Sequence, residues 1–86
     1  MNSEIKPPIL KDGYFSILVA ELKTGIVLTT EFKRHLGLGK IFWTFENLEK
    51  TNKFIESELN KNPDNEFSVR NNKGEYLFTK DINGKR

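Results

Sequence analysis

Residues 44–61, TFENLEKTNKFIESELNK, decide the architecture of this chain, because they form its one long amphipathic helical pattern and strand-like runs lie on both sides. At ~100° per residue, Leu48, Thr51, Phe54, Ile55, Glu58 and Leu59 fall on one stripe roughly 140° wide, the face to be buried. Glu46, Glu49, Lys50, Lys53, Ser57 and Asn60 lie opposite, with Glu46/Lys50 and Glu49/Lys53 as i,i+4 pairs in the favourable order. Thr44 is the expected N-cap, Asn47 falls at N3, and Trp43 and Leu48 have the spacing that clasps the first turn. Pro63 disfavours helical geometry at Asn62, so the helix should stop between Asn60 and Asn62.

Upstream, YFSILVAEL (14–22) and IVLTTEF (26–32) flank Lys23-Thr24-Gly25 and predict a hairpin. A three-residue loop with glycine last would pair Leu22 with Ile26. That register puts Tyr14, Ser16, Leu18, Ala20, Leu22, Ile26, Leu28, Thr30 and Phe32 on one face, expected against the helix. Phe15, Ile17, Val19, Glu21, Val27, Thr29, Glu31 and Lys33 take the other. Residues 40–43 read as a short third strand or the lead-in to the helix. Downstream, EFSVRN (66–71) and EYLFTK (75–80) flank Asn72-Lys73-Gly74, which pairs Asn71 with Glu75 by the same logic. Phe67, Val69, Leu77 and Thr79 would then share one face, and Ser68, Arg70, Tyr76, Phe78 and Lys80 the other. The expected fold is α+β in two layers, a mainly antiparallel sheet of four or five strands with one helix on one face, in the order ββ(β)αββ. Residues 1–13, with Pro7 and Pro8, read as a flexible amino-terminal arm, 14–80 as the single domain, and 81–86 as a frayed carboxy-terminal tail.

A chain of 86 residues has room for one core and buries only about 60 to 65% of its unfolded surface. It contains no cysteine, which excludes a disulfide framework and the usual cysteine-containing zinc sites and suits a cytoplasmic setting. The amino terminus has no basic run leading into an apolar stretch and no long apolar span follows, so neither a signal peptide nor membrane insertion is expected. The net charge of +2 is too small to imply nucleic acid, and most of the 14 cations are lysine rather than the arginine preferred for phosphate recognition. The abundance of Lys, Asn and Ile suits a bacterial or phage coding sequence.

No carboxylate pair, metal-ligand cluster or nucleophile context is legible, so no enzyme and no cofactor are expected. Glu58, on the apolar stripe, is expected to turn outward or meet a cation such as Arg70. Residues 33–40, KRHLGLGK, lack the hydroxyl that a phosphate loop requires after GK. The leading expectation is a small non-enzymatic protein-binding module, of inhibitor or immunity type. It would act through the sheet face that one helix cannot cover, with Phe15, Ile17, Val19, Val27, Tyr76 and Phe78 as contacts, or through an edge strand, and a homodimer is one way to cover such a surface. A rival is nucleic-acid binding by Lys33, Arg34 and Lys40 on phosphates with Trp43 for stacking. A phage or secretion-system structural component is a third reading.

Overall fold

The computed structural model describes residues 6–37 and 39–86; the expectations for residues 1–5 of the arm and for Leu38 of the connector lie outside the described residues. The strands are β1 (Phe15–Glu21), β2 (Phe42–Phe45), β3 (Asn65–Arg70), β4 (Tyr76–Asp81) and β5 (Gly84–Lys85), with one helix, α1 (Leu48–Lys61). They form a single sheet in the order β2-β1-β3-β4-β5 in which every neighbouring pair is antiparallel. This is the expected α+β arrangement. Because β2 and β3 both run antiparallel to β1, they run parallel to each other, and such a pair requires a crossover, which α1 supplies.

Beneath α1, Ile17, Val19, Phe67 and Val69 of the central strands pack with Ile55 of the helix and with Leu28. Phe54 anchors an aromatic row: its ring lies 4.7 Å from Trp43, 5.0 Å from Phe45 and 6.2 Å edge-on from Phe67, and Trp43 continues the row to Phe32 at 5.5 Å. Tilted and edge-on pairs of this kind add about 0.5–1.5 kcal/mol each beyond area burial.

The helix starts later than expected. Trp43 and Phe45 sit opposite Ile17 and Phe15 and are held toward the core, so residues 42–45 take strand geometry and Thr44 is no cap. Asn47 caps instead, in extended backbone (φ −160°), its Oδ1 accepting from the Lys50 amide at 2.8 Å. Leu48 is exposed rather than clasped against Trp43. The exit falls where Pro63 places it, with the Asn62 amide donating to the Glu58 carbonyl at 2.7 Å.

The segment 26–32 is not a strand. The Glu21 amide donates to Ile26 O at 2.9 Å and the Gly25 amide to Glu21 O at 2.8 Å, so Leu22 belongs to the turn and Ala20, not Leu22, begins the pairing, with Val27. One residue later the chain runs out of room. Thr29 would fall opposite Leu18, a place on that edge which Phe42 already holds, so the chain leaves the sheet and returns only at β2. The second hairpin pairs Asn71 with Glu75 as expected, the Asn71 amide donating to Glu75 O at 2.9 Å, and Gly74 takes a left-handed φ of 82°. Beyond it a β-bulge at Leu77 shifts the register, which brings Phe78 opposite Val69 and Thr79 opposite Ser68 and reverses the expected faces of residues 77–80.

Described residues near both ends make contacts with the sheet. The Leu10 amide donates to Asn72 O at 2.7 Å, and Pro7 lies against Gly74, so residues 7–10 are tied to the second hairpin turn. At the other end Arg86 exchanges two backbone hydrogen bonds with Thr79 (2.8 and 2.9 Å), and its guanidinium meets Asp81 at 2.9 Å and Glu66 at 2.6 Å.

Candidate functional site

The six residues expected on an uncovered face do not form one. Ile17 and Val19 are fully buried beneath α1, and Phe15 and Phe78 pack against the same core, so all four lie on the covered side of the sheet. Lys85 closes over Phe78, its Nζ 4.7 Å from the ring centre. Val27 and Tyr76 lie on the reverse side, beside Ala20 and Arg70 respectively, with β1 and β3 between them. The reverse face is largely hydrophilic: the Ser68 and Thr79 hydroxyls meet at 3.1 Å, the Tyr76 hydroxyl reaches Thr79 at 2.7 Å, and the Arg70 guanidinium lies 5.8 Å from the Tyr76 ring centre. The apolar excess that motivated docking on a face is spent in the core.

The basic set is divided as well. Residues 29–40 leave the sheet as a loop in which the Thr29 hydroxyl accepts from the amides of Glu31 (3.2 Å) and Lys33 (3.3 Å). Phe32 is held at a left-handed φ of 60°, a conformation disfavoured for a bulky side chain, with its ring packed against Trp43. Lys33, Arg34 and Lys40 line an open concavity of about 430 Å³ together with Leu36 and Glu31. Arg34 is already engaged by Glu21, its Nε donating at 3.0 Å and its Nη2 at 3.2 Å. That contact holds the Glu21 carboxyl below the usual carboxylate range, with help from the Thr24 hydroxyl. Trp43 is packed between Phe32 and Phe54, away from any stacking position at the concavity. Glu58 meets Lys61 at 3.7 Å rather than Arg70. Among the described residues no group of three or more His, Cys, Asp or Glu could hold a metal ion, and no helix is long and apolar enough to cross a membrane.

The two edges of the sheet supply the remaining candidates, and they are built differently. At the β5 edge, β4 is bulged at Leu77, and β5 has only two residues, one of them Lys85. Bulges, short strands and lysines are the devices that blunt an edge against pairing. At the other edge, Ile41-Phe42-Trp43-Thr44-Phe45 has no charge, glycine or proline, and its pairing with β1 is unbroken over Phe42–Phe45. Backbone alternation fixes what β2 presents. The Leu28 amide donates to Val19 O at 2.8 Å and the Glu21 amide to Ile26 O, so odd-numbered residues of β1 turn their polar groups to this edge. Phe15 and Ile17 therefore bond Phe45 and Trp43, and the amides and carbonyls of Phe42 and Thr44 point outward. Thr44 is exposed, Phe42 half-buried, and among the described residues no strand lies outside β2. Sequence alone hides these outward groups because Thr44 has the chemistry of a helix cap; the uncharged run 41–45 is the signal that points to them.

Comparison of the chain with protein-family models, with curated proteins and with solved structures finds no match in any of the three.

Proposed function

We propose that this chain is a non-enzymatic protein-binding module that takes an extended segment of its partner as an additional strand along the outer edge of β2. The observation that carries the reading is the uncharged, unbulged run from Ile41 to Phe45 with the polar backbone of Phe42 and Thr44 directed outward. Backbone pairing provides attraction without demanding a pocket. The absence of cysteine fits a cytoplasmic setting for this role.

Amide hydrogen exchange tests the reading. In the free monomer the Phe42 and Thr44 amides exchange fast while those of Trp43 and Phe45, bonded to β1, are protected; in the complex all four are protected. Thr44→Pro removes one outward donor without touching the β1 ladder, since proline is tolerated on an edge strand where its missing N–H faces away from the sheet. The variant should keep its fold and lose binding. A partner complex in which Phe42 and Thr44 still exchange as in the free chain refutes edge pairing.

A further inference from the structure

Resting on that reading, we infer that the strand received at the β2 edge is β2 of a second copy of this chain, the two sheets joining about a twofold axis into one continuous ten-stranded sheet, twice the five strands of one copy. The argument is one of register. Two copies of one edge strand related by a twofold axis meet antiparallel, and a hydrogen-bonded pair forms only where both residues turn their backbone outward. In β2 those are Phe42 and Thr44, so pairings that set an outward residue against an inward one are excluded.

Three symmetric registers remain, centred on Phe42, Trp43 or Thr44, and charge decides between them. Centring on Thr44 sets Phe42 opposite Glu46 of the second copy and gives the carboxylate no new cation. Centring on Phe42 sets Lys40 opposite Thr44 of the second copy and leaves both lysines without an acid. Centring on Trp43 pairs Phe42 with Thr44 of the second copy in both directions and brings each Lys40 beside the other copy's Glu46. Lys40 and Glu46 are both exposed. Lys50 Nζ engages Oε1 of Glu46, which leaves Oε2 for the second copy's lysine. On the reverse face the same register lays the exposed Thr44 of one copy against the half-buried Phe42 of the other, extending the strip that Phe42 begins with Leu18. Two reciprocal backbone pairs and two exposed ion pairs make a weak dimer rather than an obligate one, so its mass is read across a dilution series.

The cysteine-free chain permits a register-specific test. Phe42→Cys and Thr44→Cys chains are mixed in a thiol–disulfide buffer; a hydrogen-bonded antiparallel pair sets the two Cα atoms about 5.5 Å apart, within disulfide reach. The mixture should yield a cross-linked species of twice the 10.0 kDa chain mass, and each variant alone should not. Thr44→Cys cross-linking by itself, or Phe42→Cys by itself, overturns the Trp43-centred register. Independently, Lys40→Glu and Glu46→Lys should each weaken the wild-type dimer about tenfold, by replacing attraction with repulsion twice, and the doubly reversed chain should recover it. A chain that sediments at 10.0 kDa at every concentration, with no cross-link in the mixture, overturns the second copy as occupant. Protection of the Phe42 and Thr44 amides by a different protein would then leave the edge-binding function standing, whereas an assembly that leaves both amides exchanging freely removes the edge altogether.

Discussion

The two faces of the sheet are drawn from the same strands one residue apart, yet they do opposite work. Toward α1, β1 presents Phe15, Ile17 and Val19, and β3 adds Phe67 and Val69. On the reverse side β1 presents Ser16, Leu18 and Ala20, β3 adds Ser68 and Arg70, and Thr79 completes a row of hydroxyls. Both sides of β1 contain apolar residues, so alternation within the strand cannot say which side the helix covers. The choice is made by neighbours: the odd-numbered set meets Phe45, Trp43, Val69 and Phe67 at matching register, whereas in the even-numbered set Leu18 alone has a large apolar partner, Phe42. The lesson for function is that a helix covering one side leaves an interaction surface only if the other side is greasy. Here it is not, and the proposed function rests instead on the outward-facing polar backbone of the β2 edge.

The sharpest way to break this contrast is to cut equally into both faces. Phe67→Ala empties a fully buried site beneath α1 and should cost about 3–5 kcal/mol. Domains of this size have roughly 5–15 kcal/mol in all, so urea denaturation followed by circular dichroism should show a chain close to unfolding. Ser68→Ala, one residue away on the reverse side, loses a half-buried hydroxyl contact and should stay within about 1 kcal/mol of the parent. Equal losses at the two positions would mean that the reverse face is as much a core as the covered one.

How much of this was legible follows from which residues have one local answer. The stripe of α1 from Thr51 to Leu59, the stop before Pro63 and the Asn71–Glu75 turn are each set by nearby chemistry, and the structure has them where the sequence puts them, Leu48 at the exposed start of the helix excepted. Phe78 was not legible, because the bulge at Leu77 adds one residue to β4 and exchanges the sides of everything beyond it. Thr44 has a capping residue's chemistry, but the demand of Trp43 and Phe45 for the core overrides that preference. Leu28 lies within a run, 26–32, that reads as a strand, but a strand from further along the chain takes the place of its successor. The β2 edge is hidden by the same competition, since its second half, Thr44 and Phe45, falls within the helical pattern of 44–61.

A second test concerns what holds the arm to the second hairpin turn. Gly74 has a φ of 82°, and a Cβ there would meet Pro7 Cγ at 3.0 Å. Gly74→Ala should therefore cost about 1–2 kcal/mol in backbone strain, with a melting temperature lower by about 4–16 °C, and should free the Leu10 amide for exchange. An unchanged melting temperature would mean that the turn relaxes without the arm. A third test concerns the cover of the other face. Asn47→Ala removes the cap that starts α1 and should cost about 1 kcal/mol, whereas Thr44→Ala should cost only a few tenths. The reverse ranking in thermal melts would put the helix start back at Thr44.

The smallest effect lies where the covered face ends. Glu21 continues the alternation of Phe15, Ile17 and Val19 but reaches the rim, where Arg34 donates two hydrogen bonds to its carboxylate and the Thr24 hydroxyl a third at 2.6 Å. Each of these donors favours the charged form, Arg34 most and Thr24 next, and together they outweigh the opposing effect of burial, so the folded-state pKa lies below the ordinary 4.5. The sign follows. A carboxyl whose pKa is depressed by folding contributes stability that is fully present above its unfolded value and is lost as pH falls through its folded value. Arg34→Ala should therefore return the Glu21 titration toward 4.5, as read from its side-chain carboxyl resonance. The stability difference between parent and variant should be constant near neutrality and close only in acid, below that range. Because both side chains meet water, the difference should also shrink as salt is added, which separates this rim contact from the salt-insensitive loss at Phe67. Identical Glu21 titrations in parent and variant would show that the buried row of β1 ends at Val19 without a charged clasp.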